Sequence, residues 1–177
     1  MSERTEWLAE QMRHADPSDQ YSVLLTALQD ETGDSLRTVA YGNFESREYN
    51  LLYADAETIQ QYSAADIDAI VDDLALEQLA AERQTELYEP IGDLELTIRV
   101  FEEGINVLAR GSETTPMLFV GLDGDERNLL PTISILRTFL GERRPVVDGE
   151  VDDRDDGEGK NNGQDDEEDE RRLAGND

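Results

Sequence analysis

The clearest hydrophobic pattern lies in residues 94–122, where three apolar runs, 94–101, 105–109 and 117–122, are separated by short polar breaks that contain glycine. In the first run apolar and polar side chains alternate, which is typical of a β-strand with one buried face. The third run is apolar at both odd and even positions, as a strand covered on both faces must be. We therefore predict three antiparallel strands, with residues 117–122 central in the sheet and residues 94–101 at its edge.

Alternation in residues 36–41 and 47–53, with a Gly-Asn pair between them, predicts another hairpin nearer the amino terminus. The odd-numbered positions of this hairpin include three aromatic side chains, Tyr41, Tyr49 and Tyr53. The rings indicate either a core face or an aromatic binding platform, and we favour the core. A platform for single-stranded nucleic acid needs basic neighbours that hold phosphates, and only Arg37 and Arg47 are available. We therefore expect no nucleic-acid partner.

Helical periodicity predicts the remaining elements. Residues 1–15 are typical of a short leading helix, and Asp16 with the following proline predicts the start of a second helix. Gly33 supplies the residue that ends this second helix. The last helical stripe occupies residues 129–140 and ends at Gly141.

A long helix is predicted between the two sets of strands. Ser63, with Asp66 three residues later, is a capping signal, so the helix should begin near residue 64. The apolar phase slips after Leu74 and resumes at Leu76. The slip indicates a kink or a second helix that runs to about residue 88.

The order helix, strand, strand, helix, three strands, helix predicts an α+β fold, a five-stranded antiparallel sheet layered with helices. The domain limits follow from composition. Residues 1–15 form the leading helix, residues 16–141 form one α+β domain, and residues 142–177 form an acidic tail with the low hydrophobicity of a disordered segment.

Charge adds information about the surroundings of the protein. The chain has 43 acidic residues against 15 Lys or Arg, and its formal net charge is −28. After Val147 there are 14 acidic and 4 basic residues, net −10, which leaves 29 and 11, net −18, in residues 1–147. This acidity favours a high-salt cytoplasm, since the screening length falls to ~3 Å at 1 M salt. A nucleic-acid mimic that docks on a basic partner is the less favoured interpretation.

Several classes of protein are excluded or disfavoured. The chain has no cysteine, which excludes disulfides, thiolate nucleophiles and cysteine-ligated metals. The amino terminus lacks the basic and apolar segments of a secretory signal, and no apolar run approaches the ~18–20 residues of a membrane span. We expect a cytoplasmic protein without a membrane partner.

No residue cluster predicts a cofactor, a metal site or a catalytic group. His14 is the single histidine and has no second nitrogen ligand or serine motif beside it, so we interpret it as a bystander. Residues 123–126 begin like a calcium loop, but Arg127 occupies the fifth position, where Asp or Asn is needed. Residues 157–160 superficially resemble a phosphate loop, but no strand precedes them.

The order of elements resembles that of roadblock and profilin-like domains, in which the third strand is an edge and the fifth is central. GAF-like and PAS-like sensor domains share much of this pattern. The segments LLYADAETIQQYSAADIDAIVDDLALEQL and IGDLELTIRVFEEGINVL are similar to a family of uncharacterised haloarchaeal proteins, over residues 36–140. Lys160 is the one lysine against 14 arginines, which also resembles haloarchaeal composition. These resemblances imply a habitat and a single domain but no site residues.

Our main hypothesis is a non-enzymatic protein-interaction or regulatory module that forms homodimers through the edge strand, residues 94–101. An edge strand exposes unpaired backbone groups, which natural proteins either protect or use for pairing. An antiparallel twin of this strand would set acidic against basic side chains on the outward face. The predicted interface residues are Glu95, Thr97, Arg99 and Phe101.

Two alternatives belong to other functional classes. A small-molecule sensor of GAF or PAS type would enclose a ligand in an apolar cavity between the sheet and the long helix. A hydrolase would use paired carboxylates, but with 43 acidic residues some carboxylates come close by chance. A catalytic pair also needs environments that separate the two pKa values. We therefore favour a protein that is not an enzyme.

Overall fold

A computed structural model describes residues 3–111 and 116–143 of the chain. The helices of this part are α1 (Glu3–His14), α2 (Gln20–Thr32), α3 (Ala56–Gln61), α4 (Ala64–Leu87) and α5 (Leu129–Arg143). The strands are β1 (Leu36–Asn43), β2 (Glu48–Ala54), β3 (Leu96–Val100), β4 (Gly104–Ala109) and β5 (Met117–Asp123). The predicted acidic tail lies outside the described residues, except for the last turn of α5.

The five strands form one antiparallel sheet in the order β2-β1-β5-β4-β3. The fold class predicted from the sequence is therefore confirmed. β5 lies in the middle of the sheet between β1 and β4, which is why its side chains are apolar at both parities. β3 lies at one edge and β2 at the other.

One face of the sheet is covered by α1, α2 and α5, and the larger core lies there. Side chains from these helices interdigitate with those of β1, β4 and β5, and the members that are almost fully buried include Leu8, Leu24, Leu28, Leu36, Ile105, Leu118, Val120, Leu136 and Phe139. Burial of this many large apolar side chains is the main stabilising term of the fold. α1 takes part through Leu8, so the leading helix packs on the domain.

The opposite face is covered by α4 over a smaller core. The buried members of this second core are Ala40, Phe44, Val71, Leu74, Leu108 and Met117. Within α4 itself three residues are buried, Val71, Leu74 and Ala81. The two cores explain why the central strand is apolar on both sides, whereas α4 buries only a narrow stripe.

α4 is one continuous helix from Ala64 to Leu87, so of the two expectations for the region after Leu74 the second helix is wrong. Ser63 and Asp66 form the predicted capping box, in which each side chain binds the backbone N–H of the other. The spacing of apolar residues changes after Leu74 because α4 carries apolar residues on two different faces. Leu74 points to the sheet and Leu76 points away from it.

A β-bulge in the first hairpin changes which face of the sheet the side chains of β2 occupy. Val39 pairs with Tyr53, but Ala40 pairs with Leu51, so the residue between these partners on β2 has no partner of its own. The bulge turns Tyr53 to the face of the larger core, whereas Leu51 lies exposed on the α4 side. The single odd-numbered face predicted from alternation is therefore wrong.

The aromatic rings of this hairpin are used for packing. Tyr41 stacks on Tyr21 of α2 with 3.7 Å between the ring centroids. Tyr49 stacks on Phe44 with 5.5 Å between centroids, on the α4 side of the sheet. The preference for a core interpretation over an aromatic platform agrees with these contacts.

Two helix ends differ from the sequence prediction. α2 begins at Gln20, because the backbone at Asp16 forms a turn in which its carbonyl accepts the N–H of Asp19. Gly33, with φ of 55°, ends α2 as predicted. α5 continues past Gly141 to Arg143. None of the helices in the described ranges combines the length and hydropathy needed to cross a membrane.

Candidate interaction surface

β3 presents an apolar edge to solvent. Its backbone pairs with β4 on one side, and no strand of the described residues lies on the other side. On the face shared with α5, Leu96 packs against the larger core, whereas Ile98 and Val100 are exposed. Val100 is 58% exposed, and Phe101 at the end of the strand is 56% exposed. Exposure of adjacent apolar side chains at an edge strand is unusual in a monomeric protein.

The four predicted interface residues do not share one environment. Thr97 and Arg99 lie on the α4 side of β3, opposite Leu108 and Asn106 of β4 in the register. Phe101 follows the strand and is exposed. Glu95 precedes the strand, and its carboxylate pairs with Arg137 of α5 at 2.9 Å, on the other side of the sheet. The assignment of these four residues to an interface stays a prediction.

Arg99 holds the edge strand to α4. Its guanidinium donates to Asp73 and to Glu77, the second at 2.7 Å, and these carboxylates lie one turn apart on the helix. Hydrogen bonds to two carboxylates raise the pKa of Arg99, and the bond to Asp73 has a larger effect than the bond to Glu77. Because like charges four residues apart destabilise a helix, one cation between them removes a repulsion and adds two charge-assisted hydrogen bonds.

Arg47 makes an equivalent contact on the opposite flank of α4. Its guanidinium binds Asp68 at 3.2 Å and also binds Asp72, again one helical turn apart. Arg47 has φ of 58°, which is costly for a residue with a side chain. The hairpin turn therefore holds an unfavourable backbone conformation at the position from which this arginine reaches the helix. We call the two groupings the arginine clamps.

The outer surface of α4 carries a second apolar stripe that faces solvent. We name it the outer α4 stripe, and its members are Leu76, Leu79, Ala80 and Leu87, with Arg83 between the last two. The spacing of three, four, seven and eleven residues from Leu76 places these positions on one side of a helix. Leu76 is 66% exposed and Leu87 is 65% exposed. Leu76 lies three residues from Asp73 and Ala80 lies three residues from Glu77, so the stripe borders the flank that contacts β3.

Sequence reasoning missed this stripe, although a signal was present. The slip in phase after Leu74 is the signature of a helix that has apolar residues on two faces. A kink and a second apolar face give the same pattern, and only the position of the sheet separates them. The arginine clamps had no such signal, because they join residues at least 21 positions apart in the chain.

A small surface groove lies at the start of α1. Its lining consists of Glu3, Arg4, Trp7 and Glu31, and the guanidinium of Arg4 lies 5.5 Å from the centroid of the Trp7 ring. Arg4 also pairs with Asp30 of α2 at 2.9 Å. Three of its four lining residues are charged, which differs from the apolar cavity that a sensor requires.

The carboxyl groups with shifted pKa values in the described residues have structural roles. Hydrogen bonds from the first turn of α3 lower the pKa of Asp55, and the Ser63 hydroxyl lowers the pKa of Asp66. The guanidinium of Arg127 lowers the pKa of Asp125. A general acid in a hydrolase needs a raised pKa, which is the opposite direction. No group of metal-ligating side chains was found between residues 3 and 143, outside the gap at 112–115.

The fold is a roadblock-like α+β arrangement, with an antiparallel sheet between two helical layers. The structure is similar to that of the gliding protein MglB from Thermus thermophilus, with a TM-score of 0.50 and 13% sequence identity over 72% of this chain and 91% of that chain. A structure described as MglB with tetrameric arrangement has a TM-score of 0.48, 12% identity and coverage of 72% and 90%.

The chain belongs to the family described as Domain of unknown function (DUF7522), whose model matches residues 22–141. The match spans α2 to α5 and therefore includes both edge strands and α4. No curated protein matches the sequence significantly.

Proposed function

We propose that this chain is a non-enzymatic interaction module of a high-salt cytoplasm, which forms a homodimer through β3 and the adjoining outer α4 stripe. The observation that carries the proposal is the exposure of large apolar side chains on both elements, Val100 and Phe101 at the edge strand and Leu76 and Leu87 on the helix. An exposed apolar surface of this kind marks a site of protein contact. The roadblock-like fold is consistent with a regulatory module of this type.

The geometry of the two edges favours β3 over β2 as the pairing strand. The register between β3 and β4 is regular over all five residues, so the free side of β3 is a straight template. β2 contains the bulge beside Tyr53, and bulges twist an edge away from regular pairing. Antiparallel pairing of β3 with its copy would join two sheets and leave no free β3 edge.

Pairing of the strands alone gives too little contact for a stable dimer. β3 has five residues, whereas specific interfaces bury about 1,200–2,000 Å² in total. The outer α4 stripe borders the flank of the helix that contacts β3 and supplies further apolar area. A two-fold axis at the strand pair would bring the β3 flanks of the two α4 helices towards each other, and the members of the stripe nearest this flank would then contact the other copy.

The charged residues of the edge have a different role from the one predicted. Glu95 and Arg99 both have partners within the chain, so an exchange of these partners between copies would cost the existing ion pairs. We therefore assign the interface energy to the apolar side chains, together with Thr97 and Phe101. Arg99 contributes by fixing the position of α4 relative to β3.

The test is the mass of the full chain in about 2–3 M KCl, where repulsion is screened. We expect a dimer by light scattering and a dissociation constant that Leu76→Glu raises at least about ten-fold, or ~1.4 kcal/mol. Leu130→Glu is the matched control, since Leu130 is exposed on the opposite helical layer and receives the same charge. A monomer at high protein concentration, or equal effects of the two substitutions, would contradict the proposal.

A further inference from the structure

α1 lies in an apolar groove of the helical layer opposite α4. It packs against both α2 and α5, and we name the space that it fills the α2–α5 groove. Leu8 and Met12 of α1 are almost fully buried and belong to the larger core. Thr5 and Ala9 are also buried, and the four positions form one stripe at helical spacing. The groove is therefore shaped to hold one amphipathic helix.

The rim of the α2–α5 groove is acidic where α1 is basic. At one end of α1, Arg4 pairs with Asp30 at 2.9 Å and lies 4.0 Å from Glu31, both on α2. At the other end, Arg13 pairs with Glu142 of α5 at 3.6 Å. Exposed ion pairs add little affinity, but complementary charges fix the direction in which a helix lies. The groove therefore favours a helix with apolar residues in its middle and an arginine near each end.

α1 is an addition to the part of the chain that matches the family. That match covers residues 22–141, so it begins after α1 and includes α2 and α5 except for their terminal residues. Helices shorter than about 12–15 residues are marginal in isolation, and α1 has 12 residues. Burial of its apolar side chains is opposed by the entropy lost when these residues become ordered. α1 can therefore leave the groove at a lower cost than unfolding of the whole domain.

We propose that the α2–α5 groove binds an amphipathic helix of a partner protein and that α1 is an intramolecular occupant which this partner displaces. The partner helix carries apolar side chains at the positions that Leu8 and Met12 hold, and an arginine near each end. Residues 15–19 tether α1, which gives it an effective concentration of the order of mM, so the bound α1 is autoinhibitory. The groove lies on the face of the sheet opposite α4, so this inference does not depend on the proposed homodimer.

The first experiment opens the groove in the full chain with Leu8→Glu, which places a charge in the middle of the buried side of α1. The probe for the partner helix is a fluorescently labelled synthetic peptide of residues 3–15, measured by fluorescence anisotropy in about 2 M KCl. We expect the dissociation constant of this peptide to be at least about ten-fold lower for L8E than for the wild type, since the tethered helix no longer competes.

Gln11→Glu is the matched control, because Gln11 is exposed on the outer side of α1 and receives the same charge. Q11E should bind the peptide within about two-fold of the wild type. Equal affinity of the peptide for L8E, Q11E and the wild type would overturn the proposal. Loss of the native circular dichroism spectrum in L8E would also overturn it, because α1 would then be required for the fold.

A second measurement avoids a disruptive substitution. The chain has no cysteine, so a single introduced thiol reports only on its own site. Ala9→Cys lies on the buried side of α1, and Ala109→Cys is the matched control within β4 and the larger core. We expect the thiol at position 9 to react with a thiol reagent at least about ten-fold faster than the thiol at position 109, under conditions where the chain stays folded. Equal rates would show that α1 opens only with the whole domain and would overturn its displacement by a partner.

Discussion

At the scale of single residues, arginine side chains hold this fold together across its acidic surface. Arg99 binds two carboxylates from a partly buried position. The exposed fraction of its side chain is 29%, and that of the Glu77 side chain is 15%. A planar guanidinium suits this arrangement because it donates several hydrogen bonds in fixed directions, whereas an ammonium is a compact point charge. The scarcity of lysine in the chain agrees with this use of arginine.

Replacement of Arg99 should therefore loosen α4. We expect Arg99→Gln to lower the free energy of unfolding by about 1 kcal/mol, because surface and partly buried ion pairs contribute roughly this much and the repulsion between Asp73 and Glu77 returns. Urea denaturation in molar KCl measures the change. Arg83→Gln is the control, since Arg83 is exposed and has no ion pair in the described part of the chain. Both variants are measured at a protein concentration that keeps the chain monomeric, because Arg83 lies within the outer α4 stripe. A loss as large in the control would show that only the loss of positive charge matters.

The capping box at the start of α4 makes a prediction about pH. We expect Ser63→Ala to cost about 1 kcal/mol at neutral pH, because the backbone N–H of Asp66 in the first turn loses its acceptor. In the wild type the pKa of Asp66 is lower in the folded protein than in the unfolded chain, chiefly because the Ser63 hydroxyl donates to it. Its contribution to stability is therefore complete above the unfolded pKa of about 3.9, and it disappears as pH falls through the lower folded value.

Thermal unfolding of both proteins from pH 6 to pH 3 measures this dependence. The difference between wild type and Ser63→Ala should be largest at pH 6 and should shrink in the acidic range, since protonated Asp66 loses its ionic hydrogen bonds in both proteins. A difference that grows on acidification would contradict the assigned role of the cap.

At the scale of elements, the sequence predicts those features that leave a local pattern and does not predict those that depend on distant partners. Apolarity at both parities was sufficient to place β5 at the centre of the sheet, because burial on both faces leaves a local signature. The bulge beside Tyr53 left no such signature, since it depends on the pairing of two strands. The outer α4 stripe was visible as a change of phase, but its meaning required the direction of the sheet.

The sequence predicted that β3 lies at the edge of the sheet, but it did not predict which side chains of this edge are available for contact. Alternation identified β3 as an edge, because polar residues mark the face that no large core covers. Which side chains of the edge are available depended on partners distant in sequence, such as Arg137 for Glu95 and Asp73 for Arg99. Long-range ion pairs of this kind carry no periodic signal in a single sequence.

At the scale of the whole molecule, charge should make folding depend on salt. The formal net charge of −28 opposes compaction, and this repulsion is screened within ~3 Å at 1 M salt. We expect the midpoint of thermal unfolding to rise steadily as KCl increases from about 0.1 M to about 2 M. Differential scanning calorimetry at a protein concentration that keeps the chain monomeric measures this effect apart from assembly. A midpoint that is insensitive to KCl would contradict the importance of repulsion.

The position of β5 has a consequence for how the chain is made. β5 is the last of these five strands to leave the ribosome, yet it must enter the sheet between β1 and β4, with Val120 opposite both Val39 and Val107. The two hairpins can form early from neighbouring residues, but they remain separate until β5 joins them. During synthesis the inner sides of β1 and β4 are therefore open to wrong pairing, and a nascent chain that stalls before Met117 presents two unfinished half-sheets to the cell's chaperones.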